Sequence, residues 1–436
     1  MCARFTAESA PSAPPRRRPP RGIQPDQPQA RAGHQESPLT IEQRDPVEIH
    51  PRLKALFGAL AFDDLAWCLL RGESELDGRP GDIDILVAPT DLQLIRRIAS
   101  AHGFRRLPAQ GYGSHVFLIA YDRDTDRWLK LDIVTELAYG PAFAWRFPGT
   151  AGILGRRRSM GVANVLAEGD AFWTLLLHGL LDKHALDESK RLRLSELARE
   201  GRDRGPLARA LGPRLPDGWD VDQVVDAVEH GEWDRLGDLG RALAAGLRRR
   251  HRAETVRRRV TGPVARRVTR LVRVARPRGL TVALVGNKAL VKRAAAELGE
   301  TVPMSVRSLG NPPSWQSLGR GIRIRLQRGN GLVVYRAASL ADLPERRYSG
   351  RGAPADLLSC PPPDLVILLD PSRPSASTGG ASGIRPTPGV GSDTWTVDAT
   401  LPKGEVRRSI AGLVWDRLAD RWDALDRRSA EPQKEL

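Results

Sequence analysis

The sequence predicts a two-part mixed fold: an α+β domain with a helical extension, then an α/β domain built on a parallel sheet. Three observations predict it. From Ile49 to Val134, helical patterning alternates with short strands that end in polar turns, as in a small mixed sheet. Residues 170–250 carry helical periodicity. From Gly279 onward, apolar runs such as GLTVALVG and PDLVILLD alternate with helical stretches, which is how a buried parallel sheet reads.

Taken in order, residues 1–46 are rich in Pro, Arg, Gln and Ala with few large apolar residues, and are expected to be a disordered tail. Residues 52–61 read as a helix, Ala66–Leu70 and Asp82–Val87 as strands, and 90–102 as a second helix. Ser114–Tyr121 and Trp128–Val134 read as strands around the turn Asp122–Arg127. The segment DAFWTLLLHGLLDKH opens the helical extension, with Asp170 expected at its N-cap. In the last part, strands are expected at Gly331–Tyr335 and Leu365–Leu369 beside the one in GLTVALVG, with a Ser/Gly/Pro-rich loop over 371–394. Trp395, Trp415 and Trp422 are expected to pack, the last two on one helix face seven residues apart. The expected organisation is a tail 1–46, a mixed domain 47–168, a helical extension 169–240, an Arg-rich connector 241–278, a second domain 279–425 and a tail 426–436.

A chain of 436 residues holds two or three domains. Its 3 cysteines, Cys2, Cys68 and Cys360, stand far apart and form neither a disulfide framework nor a CxxC pair, which predicts a reducing, cytoplasmic compartment. No run reaches the roughly 18 apolar residues of a membrane span, and the first residues lack the apolar core of a secretory signal. The net charge of +16 is concentrated. Residues 241–278 hold 14 Arg against one acid, Glu254, and residues outside this segment and outside 1–50 carry only +2. The Arg-rich segment reads as a solvated helical connector, with an anionic partner, nucleic acid or membrane surface, as the functional alternative. It has little aromatic interleaving to stack on bases.

The sharpest chemical signal is LLRGESELDGRPGDIDILV followed by WLKLDIV. Alternate residues of a strand share a face, so Asp82 and Asp84 project together while Ile83 and Ile85 point to the core. Adjacent carboxylates repel, and a cation relieves that cost. Asp132, on a strand expected to pair alongside, adds a third carboxylate. Three such groups at a sheet edge suit a pair of Mg²⁺ ions, which prefer oxygen ligands. Two metals can activate an attacking oxygen and stabilise a departing pyrophosphate.

This constellation resembles the nucleotidyltransferase superfamily, whose motif is Gly-Ser, a spacer, Asp-x-Asp and a later strand Asp, over about residues 64–190. The resemblance implies that Asp82 and Asp84 hold both metals, that Asp132 binds the catalytic metal and helps activate an acceptor hydroxyl, and that Gly72 approaches the triphosphate of a bound nucleotide. Glu73 stands where the family has its phosphate-binding Ser, and Ser74 is the nearest Ser. A carboxylate there repels a triphosphate. His178 and Asp182 are spaced to pair on one helix face, and Lys183 is placed to reach a triphosphate.

GLTVALVGNKALVKRAAAELG has the strand–loop–helix order of a phosphate loop, G-x-x-x-x-G-K-[ST]. Gly286 and Lys292 occupy the first Gly and the Lys, but Val291 replaces the second Gly and Arg293 the hydroxyl. A β-branched residue disfavours the backbone angles required, and Arg cannot ligate Mg²⁺. The surrounding strands, GLVVYR, PDLVILLD and WTVDATLPKGEVRRSIAGLVWDRL, resemble thymidylate kinases over about 279–425. There Arg336 is present, but Tyr335 replaces the Asp of the family's Asp-Arg pair. The fold class implied is thus an α+β nucleotidyltransferase-like domain with helical extension, then an α/β parallel-sheet P-loop kinase-like domain, degenerate at its catalytic positions. The expected function is Mg²⁺-dependent transfer of a nucleoside monophosphate from a nucleoside triphosphate to an unknown acceptor. The alternatives are a non-catalytic nucleotide-binding module and a thymidylate or other nucleoside monophosphate kinase.

Overall fold

A computed structural model of the chain describes residues 48–79, 81–107, 115–258, 261, 278–310, 324–328, 331–343, 361–371, 384–387 and 393–430. The expected tail 1–46, most of the 371–394 loop and residues 259–277 of the Arg-rich connector, save Thr261, lie outside the described residues.

Helix α1 (Pro51–Phe62) starts where it must: Pro51 is free of an N–H to lose, and the His50 ring accepts the Arg52 amide at 3.2 Å. Leu53, Leu56, Phe57 and Leu60 recur at helical spacing and are all buried. Strands β1 (Trp67–Arg71) and β2 (Ile83–Val87), helix α2 (Leu92–Ala101) and strands β4 (Val116–Asp122) and β5 (Arg127–Val134) follow within a few residues of their expected bounds, and a two-residue strand β3 (Arg105–Arg106), not expected from the sequence, pairs with β4. Asp82 stands one residue before β2 rather than inside it.

The 137–165 stretch was not resolved by patterning. It holds a hairpin, β6 (Leu137–Tyr139) with β7 (Trp145–Phe147), a short helix α3 (Thr150–Gly155), and two strands, β8 (Arg158–Met160) and β9 (Ala163–Val165). The strands β8 and β9 extend the first sheet, whose order is β3-β4-β5-β2-β1-β9-β8. Within it β2 runs antiparallel to β1 and parallel to β5.

The helical extension comprises α4 (Glu168–Leu177), a π-helical turn His178–Lys183, α5 (Glu188–Gly201), α6 (Pro206–Leu211), α7 (Val221–Glu229) and α8 (Trp233–Arg250). Ala167, not Asp170, occupies the N-cap of α4. Asp170 lies in the first turn, fully buried, and accepts from Arg156 Nε at 3.1 Å. The helices share one core with the β6–β7 hairpin, through Trp145, Phe147, Phe172 and Trp173 among others. Helix α8 crosses the expected boundary at 240. Leu243, Ala244 and Leu247 are buried in that core, so the first turns of the Arg-rich segment are structural.

The second sheet contains β10 (Leu280–Gly286), β11 (Val306–Leu309), β12 (Leu332–Ala337), β13 (Leu365–Asp370), β14 (Ile384–Pro386) and β15 (Thr394–Asp398), in the order β11-β12-β10-β13-β15-β14. The first five of that order are parallel, and β14 is an antiparallel edge. Helix α9 (Lys288–Thr301) follows β10, and a long helix α10 (Lys403–Ala430) closes the chain. The protein is therefore mixed α/β, with a mixed sheet, helices and a largely parallel sheet. Among the described residues no helix is long and apolar enough to cross a membrane.

Val47–Leu436 forms one compact unit. Strand β4 explains why. Leu118 and Ala120 face the α1–α2 core, whereas Ile119 and Tyr121, one residue out of phase, enter the core of the second half. There Trp128 meets Trp415 edge-on at 5.7 Å, and Trp415 meets Trp422 at 6.2 Å. Polar contacts rim this seam. The Tyr121 hydroxyl donates to Asp126 at 2.7 Å, Arg407 Nε donates to the other Asp126 oxygen at 2.9 Å, and Arg105 donates to Asp423 at 3.1 Å.

Candidate functional site

Strand register assembles the carboxylates. Ile83↔Leu131, Asp84↔Asp132 and Ile85↔Ile133 are partners across the parallel β2–β5 pair. Ile83, Ile85, Leu131 and Ile133 are buried on the α1–α2 side, so Asp84 and Asp132 stand side by side on the opposite face. Asp82, Asp84 and Asp132 all line one cavity of about 330 Å³. Its other walls include Arg71, His115, Glu136, Tyr139, Phe143, Thr174 and the residues His178, Asp182 and Lys183 of the π-helical turn. The cavity thus joins the sheet to the helical extension.

Each carboxylate meets a base. Arg71 Nε donates to Asp84 at 2.6 Å, Lys130 Nζ donates to Asp82 at 2.8 Å, and His115 Nδ1 lies 2.8 and 2.9 Å from the two oxygens of Asp132. His115 is held between aromatic rings, 4.4 Å from Phe143 and 5.9 Å from Phe117. Burial pushes the Asp84 carboxyl above its ordinary range; Arg71 opposes that, and the charges of Asp132 and Asp82 reinforce it. The crowding that the D-I-D spacing implies is therefore present and only partly relieved.

The π-helical turn does specific work. In an α-helix, residues 178 and 182 share a face, but 183 turns away. Bonding from i to i+5 widens the turn and brings residue 183 round as well. His178, Asp182 and Lys183 consequently all reach the cavity. His178 Nδ1 lies 3.0 Å from Asp182 Oδ2, and the Gly140 amide donates to Asp182 Oδ1 at 2.6 Å. The Tyr139 and Thr174 hydroxyls are buried in the wall without a well-formed hydrogen bond among the described residues. Burial pushes the Tyr139 phenol up, with Arg71 and Asp182 as opposing charged neighbours.

Gly140 cannot be replaced. Its φ is +73°, and a Cβ there would lie 2.1 Å from the Trp145 ring. Gly140→Ala is expected to cost roughly 3 kcal/mol or more, from backbone strain plus a clash in a closed core. Thermal denaturation followed by circular dichroism measures it; an unchanged midpoint contradicts the packing described.

Gly72, Ser74, Gly286 and Lys292 are placed differently from the carboxylates. Gly72 has φ +97°, and its missing Cβ would sit 2.8 Å from the Asp82 carbonyl oxygen and 2.9 Å from Ile83 Cα. Glycine is required there because β2 passes so close, a reason internal to the fold. Gly72 does not line the cavity; Ser74 lies in the single 3₁₀ turn Glu73–Glu75 that follows. Glu73 is exposed and also stands away from the cavity lining.

Gly286, with φ +147°, is pressed against the Leu369 carbonyl, where a Cβ would lie at 2.7 Å. Only Asn287 separates Gly286 from α9, and its side chain caps the helix by accepting the Ala289 amide at 2.9 Å. The segment that lacks the second Gly and the hydroxyl of a phosphate loop is therefore helix from Lys288 onward. Val291 is buried in the core and Lys292 is an exposed residue of the helix's second turn.

Sequence reasoning missed Arg71, His115, Lys130, Glu136 and Tyr139. Arg71 and Lys130 carried a readable signal, since Lys130 shares the strand face of Asp132 two residues on. His115 precedes β4 and carried none.

Among the described residues, no three His, Cys, Asp or Glu side chains are arranged to hold a metal ion by themselves. Mg²⁺ does not require that. It is commonly held by one or two carboxylates, with waters and substrate phosphates completing the shell. The Asp84–Asp132 register pair supplies two hard oxygen donors at one wall of the cavity. The residues fit Mg²⁺ arriving with a phosphate ligand. Fold and site define a mixed α/β protein with an acidic, cation-rimmed cavity between sheet and helices. Comparison with known protein families, with curated proteins and with solved structures finds no match.

Proposed function

We propose that this cavity binds a nucleoside triphosphate and transfers its nucleotidyl group to a hydroxyl or phosphate acceptor. The observation that carries the reading is the Asp84↔Asp132 register pair with Asp82 beside it, opening into a cavity that also presents Lys183. Asp84 and Asp132, with Asp82 at the edge, would hold Mg²⁺; when bound with the substrate, the ion withdraws charge from the α-phosphate and the leaving pyrophosphate. Lys183 supplies a compact cation for the phosphates. Arg71 and Lys130 offset the charge of Asp84 and Asp82 and so lower the repulsion a polyanion would meet there. Glu73, exposed and outside the lining, does not oppose the triphosphate there.

In this reading the C-terminal half is a kinase-like scaffold without kinase chemistry. The supporting observations are the helical start directly after Asn287 and the buried Val291. A second reading, a nucleotide-binding module that does not turn over, is favoured by the pairing of all three carboxylates with Arg71, Lys130 and His115.

The test uses the full chain with Mg²⁺ and each α-labelled nucleoside triphosphate. Pyrophosphate release with label transfer is expected. Calorimetric binding without release selects the second reading, and the absence of both removes the nucleotide reading. ATP with dTMP is expected to yield no ADP.

A further inference from the structure

We infer that His178 is the general base of this cavity, taking the proton of the acceptor hydroxyl, with Asp182 and the Gly140 amide as positioning groups; this rests on the transfer reading above. The resemblance assigns activation of the acceptor to Asp132. In the structure, however, both Asp132 oxygens are engaged by the His115 ring. His178 is differently arranged. Its Nδ1 is fixed by Asp182, and Asp182 is itself fixed through its second oxygen by the Gly140 amide. The opposite ring nitrogen makes no hydrogen bond among the described residues, and the side chain lines the cavity.

An imidazole oriented by a carboxylate on one nitrogen and open on the other is the arrangement that serves proton abstraction from a hydroxyl. The π-helical turn adds a second reason. It costs regular helix geometry, yet it brings His178, Asp182 and Lys183 to one side. Base and phosphate cation are thereby delivered together. Arg71, the partner of Asp84, lines the same cavity as Tyr139, His178 and Asp182, so the pair and the carboxylates face a common space.

The step balances as follows. The acceptor O–H proton passes to His178 Nε2 while the oxygen forms a bond to the α-phosphorus. The bond from that phosphorus to the bridging oxygen breaks, and pyrophosphate leaves with the electron pair. The imidazolium then returns its proton to solvent.

Pyrophosphate release from Mg-ATP by the full chain, with water and then glycerol as acceptor, tests this. His178→Ala is expected to lose about a hundredfold or more in kcat, with KM for ATP changed less than about threefold, and free imidazole is expected to restore at least a tenth of the lost rate. Asp182→Asn is expected to lose less and to gain nothing from imidazole. His178→Gln, which keeps the side-chain volume, repeats the measurement if His178→Ala does not fold. A rate within threefold of the native chain overturns the inference, as does a loss of rate that comes with loss of calorimetric ATP binding and is not rescued. If the native chain releases no pyrophosphate, the transfer reading falls and takes the inference with it, an outcome distinct from a native rate that the variants leave untouched.

Discussion

Asp84→Asn is expected to lower nucleotidyl transfer at least about a hundredfold, or roughly 2.7 kcal/mol of transition-state stabilisation, while the fold survives. Asp84 and Asp132 are the two hard donors of the register pair, and an amide oxygen carries no full charge with which to hold Mg²⁺. The stability side has its own sign. Burial raises the folded-state pKa of Asp84 above the unfolded one. Its contribution to stability is therefore full below the unfolded value and is lost as pH rises through the folded value. At neutral pH the ionised carboxylate is a cost, and asparagine removes it. Arg71 loses its partner, but it is about a third exposed and reaches water. The melting midpoint is expected to stay within a few degrees of the native one. Parallel transfer assays and thermal scans decide this. Undiminished transfer by a folded Asp84→Asn protein removes the carboxylate chemistry.

Asp364→Asn is expected to produce the largest loss of stability, about 3–5 kcal/mol, seen as a fall of roughly 10 °C in the lowest melting transition. Asp364 precedes β13 at the entry side of the second sheet. It accepts the Thr281 amide at 2.8 Å and the Thr281 hydroxyl at 2.9 Å, and it pairs with Arg328 and Arg421. Arg421 and Trp422 of α10 also donate to the carbonyls of Gly279 and Arg278. One buried carboxylate thus ties β10, β13, the 324–328 helical segment and α10 together. Neutralising it leaves two guanidinium groups facing each other with little water. Burial alone would raise the Asp364 pKa, but the charges of Arg328 and Arg421 outweigh it and hold the carboxyl below its ordinary range. The stability it supplies is present above the unfolded pKa and is lost as pH falls through the folded one. Native protein is therefore expected to lose this stabilisation only below about pH 4, whereas the variant lacks it at all pH values. Equal midpoints at pH 7 contradict the assignment.

Elements with strong period were legible beforehand, because period follows from burial. In WLKLDIV the apolar residues mark one face, which put Asp132 on the other, and the same logic placed Asp82 and Asp84. Three-residue strands such as β6 to β9 are too short to show any period, so the 137–165 region, which supplies Tyr139 and Phe143 to the cavity, could not be read. The π-helical turn was invisible for another reason: LLLHGLLDKH satisfies an ordinary helical pattern equally well. The replaced phosphate loop was legible in principle. Val291, Ala294, Ala295 and Leu298 recur at helical spacing and are all buried, so periodicity points to the same break in the loop that the replaced Gly and hydroxyl positions do. The burial of Tyr121 and Trp128 against the second half was also signalled, since large aromatic residues on the second face of a sheet ask for a cover.

The face of β4 and β5 that carries Asp132 continues, residue by alternate residue, to Lys130, Trp128 and Tyr121, where α10 rests. Severing the chain between its halves would leave the Trp128 indole and the Tyr121 phenol bare to water on one fragment and strip Trp415 and Trp422 on the other. Neither piece should be recoverable as a well-behaved soluble protein by itself. Mixing separately made pieces should yield aggregates, so the two halves are best handled as one continuous chain.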